Sequence, residues 1–221
     1  MGQPVVVLGL AHTGTSAIAG ALRILGVQFP DVDSGWEMHS ENISLVESFN
    51  KINSNEGSSE FVNKIWEYDQ KFKGHWGFKS PYFAQSFDDI QLLMCAMPEN
   101  TIYCVTSRDP MAIAERRIRT GIGYSQKTYA ETFERKSRTA MKVANQLSDI
   151  YRAIKVEQSR EGCHRKFMYF PFEKMSAEGG PEKLISNLVS FTGINAPDTM
   201  KREAIRYISP KNGYQSPLKF M

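Results

Sequence analysis

The sequence predicts one α/β domain over residues 1–221, with three layers (α/β/α) around a central parallel sheet. Four apolar runs bounded by Gly, Pro or Ser are typical of buried strands; they cover residues 5–10, 75–78, 102–106 and 166–170. Helical patterns separate these runs. That alternation indicates parallel strands, with ligands bound beyond their carboxyl ends. Because four strands are few for 221 residues, we expect a fifth, which the pattern does not locate.

The helical patterns are clearest after the first strand and in the second half of the chain. The first helix is expected to end at Gly26, a natural C-terminal stop. A long amphipathic helix, or two joined end to end, is expected over residues 128–157, and another helix between Pro181 and Gly193. Residues 31–59 are polar and weakly patterned, which fits either a lid over a site or a surface loop with one helix. The buried stripe expected for the long helix consists of Ala140, Val143, Ala144, Leu147, Ile150, Tyr151 and Ile154.

The bulk composition is that of an ordinary globular domain. A formal net charge of +3 is too small to indicate a nucleic-acid partner. The three cysteines, with no CxxC spacing, disfavour a disulfide framework and a zinc site, and Cys104 is expected to be a buried thiol. No apolar run has the length of a membrane span, and the first strand begins close to Met1, so we expect a cytoplasmic protein.

The loop after the first strand is the most informative segment. An apolar run leads into Gly9-Leu10-Ala11-His12-Thr13-Gly14, and a helix begins directly afterwards with Thr15-Ser16. Such Gly-x-x-x-x-Gly loops collect backbone N–H groups and a helix N-terminus around a phosphate. The lysine that follows the second glycine in nucleoside-triphosphate sites is replaced by Thr15. We therefore expect a phosphate-bearing ligand other than ATP bound with Mg²⁺.

A second anion site is expected at the end of the third strand. Thr106-Ser107-Arg108-Asp109-Pro110 follows that strand, Asp109 is suited to cap a helix, and Pro110 suits the first helical position. Arg108 then lies at the same sheet edge as the Gly14 loop, and an arginine fork there favours bidentate phosphate binding. The alternative is that Arg108 pairs with a carboxylate. In that case Arg116, Arg117 and Arg119 form a solvated helix face.

These motifs resemble the sulfotransferases that use 3′-phosphoadenosine-5′-phosphosulfate (PAPS). In that family a Pro-Arg/Lys-Ser-Gly-Thr-Ser/Thr loop binds the 5′-phosphosulfate; the similar segment here is Ala11-His12-Thr13-Gly14-Thr15-Ser16. The family's Arg-Asp/Asn-Pro arginine, which binds the 3′-phosphate, is matched by Arg108. A serine that often follows eight residues later is replaced by Arg116, still a phosphate donor.

The second half of the chain extends the resemblance. Phe172-Glu173-Lys174-Met175, followed by Pro181, is similar to the family's Tyr-Glu-Asp-Leu … Pro segment. Lys211-Asn212-Gly213 is similar to its C-terminal phosphate-binding loop. The resemblance implies a sulfotransferase fold related to that of the P-loop NTPases, with PAPS as donor, adenosine 3′,5′-bisphosphate (PAP) as product, and no metal.

The resemblance also implies three catalytic roles. Lys79 is similar to a lysine that stabilises the transition state; its alternative is a solvent-facing charge at a strand end. His12 stands where the family has Lys or Arg. Two adjacent anionic groups should raise its pKa and make it a proton donor to the leaving oxygen; otherwise it only shapes the loop of a slow or inactive protein. Glu41 is the first choice for the base, ahead of Glu37 and His39, although it also suits a helix N-terminus for purely structural reasons.

The expected activity is transfer of a sulfuryl group from PAPS to a hydroxyl or amine of a small-molecule, carbohydrate or peptide acceptor. Trp36, Trp66 and Trp76 are candidates to line an acceptor or adenine pocket, but such large aromatics are more often core or rim. Two alternatives stay open. One is a small-molecule kinase with a degenerate P-loop, and the other is a non-catalytic protein that keeps the nucleotide-binding fold as an interaction platform.

Overall fold

A four-stranded parallel sheet forms the centre of the computed structural model, which describes residues 2–30, 42–52, 58–79, 81–120 and 129–209. The strands are β1 (Gln3–Leu8), β2 (His75–Lys79), β3 (Ile102–Ser107) and β4 (Lys166–Pro171), in the order β2-β1-β3-β4. All four predicted strands are confirmed. The expected fifth strand does not occur in the described ranges, where only an isolated bridge between Gln28 and Trp76 extends the β2 edge.

Two hydrophobic cores, one on each face of the sheet, confirm the three-layer prediction. Alternate residues of β1 divide between them: Val6 and Leu8 join the first core, and Val5 and Val7 join the second. Every residue from Val5 to Leu8 is almost fully buried, as expected for a parallel strand covered on both sides.

The helices are bounded much as their glycines and prolines predict. Gly26 and Gly193, which follow the first and the eighth helix, adopt left-handed φ values of 103° and 72°. The long helix is continuous over thirty residues. Its predicted stripe is buried at Ala140, Val143, Leu147, Ile150 and Ile154. The helices are α1 (Thr15–Ile24), α2 (Ile43–Ile52), α3 (Ser58–Lys71), α4 (Phe87–Ala96), α5 (Pro110–Thr120), α6 (Tyr129–Gln158), α7 (Phe172–Met175), α8 (Gly180–Thr192) and α9 (Asp198–Ile208).

The predicted burial is wrong for two residues of that stripe. Ala144 and Tyr151 are exposed, whereas Gln146 and Ala153 are buried in their vicinity. The reason is the angular position of each residue around the helix. Positions 143, 147, 150 and 154 define the face toward the sheet, and the buried neighbours Gln146 and Ala153 lie on the opposite side of that face from Ala144 and Tyr151. A short 3₁₀ turn, Pro81–Ala84, links β2 to α4.

The sheet order creates a crevice between β1 and β3. The chain leaves β1 toward the face that holds α1, because Ile18 and Leu22 belong to the second core. It leaves β3 toward the opposite face, because Ile113 of α5 belongs to the first core. Loops that diverge in this way open a cleft at the carboxyl ends of the strands, the usual ligand position in such sheets. Among the described residues, none of the helices has the length and apolar character needed to cross a lipid bilayer.

Candidate active site

The loop between β1 and α1 is fastened to the end of β3. A Cβ atom on Gly9 would lie 2.1 Å from Thr106 Oγ1, so only glycine permits this approach of the two strand ends. The Thr13 hydroxyl lies 2.7 Å from the Leu10 carbonyl oxygen, to which it donates, and 2.7 Å from Thr106 Oγ1. Thr13 is therefore a buried tie that shapes the loop, and its hydroxyl points into the protein rather than toward the cleft.

The loop presents backbone N–H groups at the start of α1. Gly14, with a φ of 96°, is the N-cap residue and has no side chain to cap the helix. Its carbonyl accepts from Ala17 and Ile18. The N–H groups of Gly14, Thr15 and Ser16 make no hydrogen bond within the described part of the chain. Together with the positive end of the helix dipole they are suited to bind an anion.

Lys79 lies beside the same helix end. It is the last residue of β2, only 2% exposed, and its Nζ donates to Ser16 Oγ over 3.3 Å. A solvent-facing lysine at a strand end, the alternative considered from the sequence, is therefore wrong. The ammonium group is brought next to the first turn of α1, where it adds positive charge to the N–H groups of the loop.

Arg108 is directed at the loop from the end of β3. Its Nη1 donates to the His12 carbonyl oxygen over 3.3 Å, and its guanidinium carbon lies 4.3 Å from the centre of the Phe172 ring. Within the described residues Arg108 forms no ion pair, so pairing with a carboxylate is not what positions it there. The Phe172 ring also packs on Gly14, where an added Cβ would lie 2.9 Å from the ring.

The turn after β3 is fixed by two carboxylates. Asp109 Oδ1 accepts from the Ala112 N–H over 2.8 Å, which confirms the predicted cap of α5. Glu173 Oε1 accepts from the Asp109 N–H over 3.0 Å. Residues 172 and 173 of α7 therefore hold both the Arg108 side chain and the backbone that follows it.

His12 lies within electrostatic reach of three arginines, Arg108, Arg116 and Arg117. Its backbone has a φ of 73°, a left-handed conformation that non-glycine residues rarely adopt. Burial of the half-buried ring, followed by the charges of Arg116, Arg117 and Arg108, lowers the pKa of His12 to about 4. The imidazole is therefore neutral at pH 7 in the ligand-free protein, chiefly because of its burial and also because of the arginine charges, which are the charges that an anion would meet.

Arg117 is a further basic residue whose charge acts on His12, and the sequence interpretation did not select it. It is half-buried, and its Nη1 donates to Gln146 Oε1 on α6 over 3.3 Å. A usable signal was present, because Arg116 and Arg117 are three and four residues beyond the buried Ile113 and share its helix face. Arg119 is exposed and forms an ion pair with Glu115, so the solvated-face interpretation holds for that residue.

The remaining candidates divide into structural residues and residues outside the described ranges. Trp76 is fully buried in the first core, whereas Trp66 is 63% exposed. Cys104 is buried as predicted, and burial raises the pKa of its thiol to about 12. The candidates that lie outside the described residues are Trp36, Glu37, His39, Glu41, Lys211, Asn212 and Gly213.

Comparison with solved structures decides the fold. The sulfotransferase domain of the Synechococcus PCC 7002 olefin synthase is similar with a TM-score of 0.57 and 12% identity, over 90% of this chain and 76% of that domain. The sulfotransferase domain of the curacin biosynthetic pathway gives a TM-score of 0.53 and 14% identity, over 90% of this chain and 77% of that domain. The chain has the sulfotransferase fold.

At identities this low, the likeness concerns the sulfotransferase fold and not the reaction. No protein-family model and no curated protein matches the sequence. The function must therefore be argued from the side chains that this fold brings to the cleft.

Proposed function

We propose that the protein transfers a sulfuryl group from PAPS to a hydroxyl or amine of an acceptor. The observation that carries the proposal is the direction of Arg108, whose guanidinium reaches back to the Gly14 loop across the crevice between β1 and β3. Two anion-binding elements then face one cleft. A nucleotide with phosphates at both its 5′ and 3′ positions matches that arrangement. The fold shared with sulfotransferase domains also supports the proposal.

In this proposal the donor is bound by its two charged ends. The N–H groups of Gly14, Thr15 and Ser16 hold the 5′-phosphosulfate at the start of α1. Arg108 and Arg116 hold the 3′-phosphate, for which the planar guanidinium fork is well suited. Lys211, Asn212 and Gly213 are proposed to complete that site, on the resemblance alone.

The transfer step needs charge stabilisation and one proton acceptor. The acceptor oxygen or nitrogen forms a bond to sulfur, the bond between sulfur and the bridging 5′-phosphate oxygen breaks, and PAP leaves. Lys79, next to Ser16, stabilises the charge that develops on the sulfuryl and bridging oxygens. Once the anionic donor offsets the arginine charges, His12 becomes able to carry a proton toward the leaving oxygen. Glu41 is the proposed base that takes the acceptor proton.

This role for Lys79 and the arginines needs no metal ion. In nucleoside-triphosphate enzymes the P-loop lysine and Mg²⁺ together neutralise the transferring phosphoryl group. Thr15 stands in the position of that lysine, whereas Lys79 brings an ammonium group to the same helix turn from β2. We therefore expect the activity to persist when divalent cations are chelated.

Calorimetry with PAP and with ATP in the presence of Mg²⁺ tests the proposal against its enzymatic rival. We expect micromolar or tighter binding of PAP that EDTA does not change, together with transfer of radiolabelled sulfate from PAPS to members of an acceptor panel. Tight, metal-dependent ATP binding without PAP binding would favour the kinase. Binding of PAP without transfer to any acceptor would favour the non-catalytic platform.

A further inference from the structure

Phe172 contacts both of the anion-binding elements that face the cleft. One edge of its ring meets the Gly14 loop, where a Cβ added to Gly14 would lie 2.9 Å from Cδ2 and 3.6 Å from Cε2. The Arg108 guanidinium carbon lies over the same ring, 4.3 Å from its centre. A single rigid side chain therefore touches the loop assigned to the 5′-phosphosulfate and the arginine assigned to the 3′-phosphate.

The pairing of β3 with β4 explains why these two side chains meet. The strands are parallel, and Ser107 at the end of β3 lies opposite Pro171 at the end of β4. Arg108 and Phe172, the next residue after each strand, therefore leave the sheet side by side. Pro171 is the N-cap residue of α7, so the chain turns there and Phe172 begins the helix.

A ring contact supports Arg108 without using its hydrogen-bond donors. A carboxylate partner would offset the guanidinium charge and engage two of its N–H groups, whereas a ring attracts the cation through its π electrons and leaves the charge in place. Glu173, the carboxylate next to Phe172, accepts from the Asp109 N–H instead. Among the described residues, the one hydrogen bond of the Arg108 side chain goes to the His12 carbonyl oxygen. The charge of Arg108 and most of its donors are thus left for an external anion.

The direction of the guanidinium matters because a phosphate is bound best by two parallel N–H···O bonds. That geometry requires the planar fork to face the phosphate. A long side chain that is ordered only on binding lowers the affinity, because its rotational freedom is lost at that step. The Phe172 ring restrains Arg108 before the ligand arrives, so less ordering remains for the binding step.

We propose that Phe172 positions the Arg108 guanidinium and thereby sets the preference of the site for a 3′,5′-bisphosphate over a nucleotide with a 5′-phosphate alone. This inference rests on the proposed function, in which Arg108 binds the 3′-phosphate. Phe172 is a positioning residue, because it acts through Arg108 and not on the nucleotide.

Calorimetry with PAP and with adenosine 5′-monophosphate measures this preference as the ratio of the two affinities. Phe172→Leu keeps an apolar side chain on Gly14 but removes the ring. We expect it to lower the preference for PAP about fivefold, the factor that corresponds to a cation–π contact of about 1 kcal/mol. Phe172→Tyr restores a ring and should keep the preference within about twofold of the unaltered protein.

Met175→Leu is the matched control on the same short helix. Met175 also packs on Gly14, where its Cε would lie 2.7 Å from an added Cβ, but it has no ring to hold a guanidinium. This variant changes the packing under the loop with little change of volume. It should keep the preference for PAP.

The double variant of Phe172→Leu with Arg108→Gln separates positioning from direct contact. Its PAP affinity should match that of Arg108→Gln alone, because the ring has no arginine left to position. A further loss of about fivefold in the double variant would show that the ring contacts the nucleotide itself, and the inference would be overturned.

An unchanged preference in Phe172→Leu would overturn the inference as well, and so would an equal loss in Phe172→Tyr. These results differ from failure of the proposed function, which would appear as absent PAP binding by the unaltered protein and would remove the inference with it. A thermal melt without ligand verifies that each variant is folded at the temperature of the measurement. Phe172→Met provides the same comparison if Phe172→Leu does not fold.

Discussion

Binding of PAP should change the protonation of His12, and this gives the sharpest check on the electrostatics of the site. In the free protein, burial and three arginines lower the pKa of His12 from 6.5 to about 4. The phosphates of PAP offset the arginine charges, whereas the burial of the ring persists, so the pKa of His12 should rise above its free-state value in the complex. The complex then takes up a proton that the free protein does not hold, in a pH window that begins near pH 4 and extends upward to the pKa of the complex.

The size of the effect follows from the difference between the two pKa values. The full lowering from 6.5 to about 4 corresponds to about 3 kcal/mol, but the part caused by burial persists in the complex and solvent screens the half-exposed ring, so the effective value is about 1–2 kcal/mol. Since the complex holds the extra proton, PAP affinity should rise as the pH falls through this window. The expected gain is about tenfold relative to His12→Gln, a variant in which only the PAP phosphates titrate.

Nuclear magnetic resonance measures this protonation directly. The chain has four histidines, and the His12→Gln spectrum assigns the imidazole signal of His12 among them. The signal should titrate near pH 4 in the free protein and at least one pH unit higher in the PAP complex. A free-state pKa near 6.5, or no change on addition of PAP, would refute the idea that three arginines converge on this loop.

Three further changes test other parts of the account. Gly14→Ala should lower the free energy of unfolding by about 1–3 kcal/mol and weaken PAP binding, because the φ of 96° is strained for alanine and its Cβ meets neighbouring side chains. The control is Gly26→Ala, whose backbone is also strained but whose Cβ lies in open space; it should lose stability in urea and keep its PAP affinity. Lys79→Ala should reduce turnover by about 10²–10³-fold and leave PAP affinity within a few-fold, and a large loss of affinity with normal turnover would contradict its role. The buried Arg165 guanidinium pairs with the buried Glu157 carboxylate and donates to the Met94 and Met97 carbonyl oxygens. Arg165→Met should therefore cost about 3–5 kcal/mol in urea unfolding, and the double variant with Glu157→Leu should recover part of that loss, since only the two carbonyl oxygens then lack their partner.

The parts of the fold that were predictable are those encoded by local pattern. Parallel strands buried on both faces appear as continuous apolar runs, so β1 to β4 could be located to within two residues of their observed ends. Gly14 and Gly193 indicated helix boundaries, because few other residues adopt their left-handed conformations. The Asp109 cap followed from its place before Pro110.

The parts that were not predictable depend on contacts between distant segments. The Thr13–Thr106 tie and the Arg108–Phe172 stack join residues far apart in the sequence, and no local pattern encodes either. Burial of Lys79 results from the packing of β2 beside α1, whereas composition alone favours an exposed lysine.

The central claim is that Arg108 binds the 3′-phosphate of a nucleotide held by the Gly14 loop. A thermodynamic cycle of two ligands and two proteins tests this claim most directly. Calorimetry with PAP and with adenosine 5′-monophosphate measures what the 3′-phosphate contributes, in the unaltered protein and in Arg108→Gln. We expect the unaltered protein to prefer PAP by about 2 kcal/mol, roughly thirtyfold, and the preference to be nearly lost in the variant. A variant that weakens both nucleotides equally, or that keeps the preference for PAP, would contradict the claim.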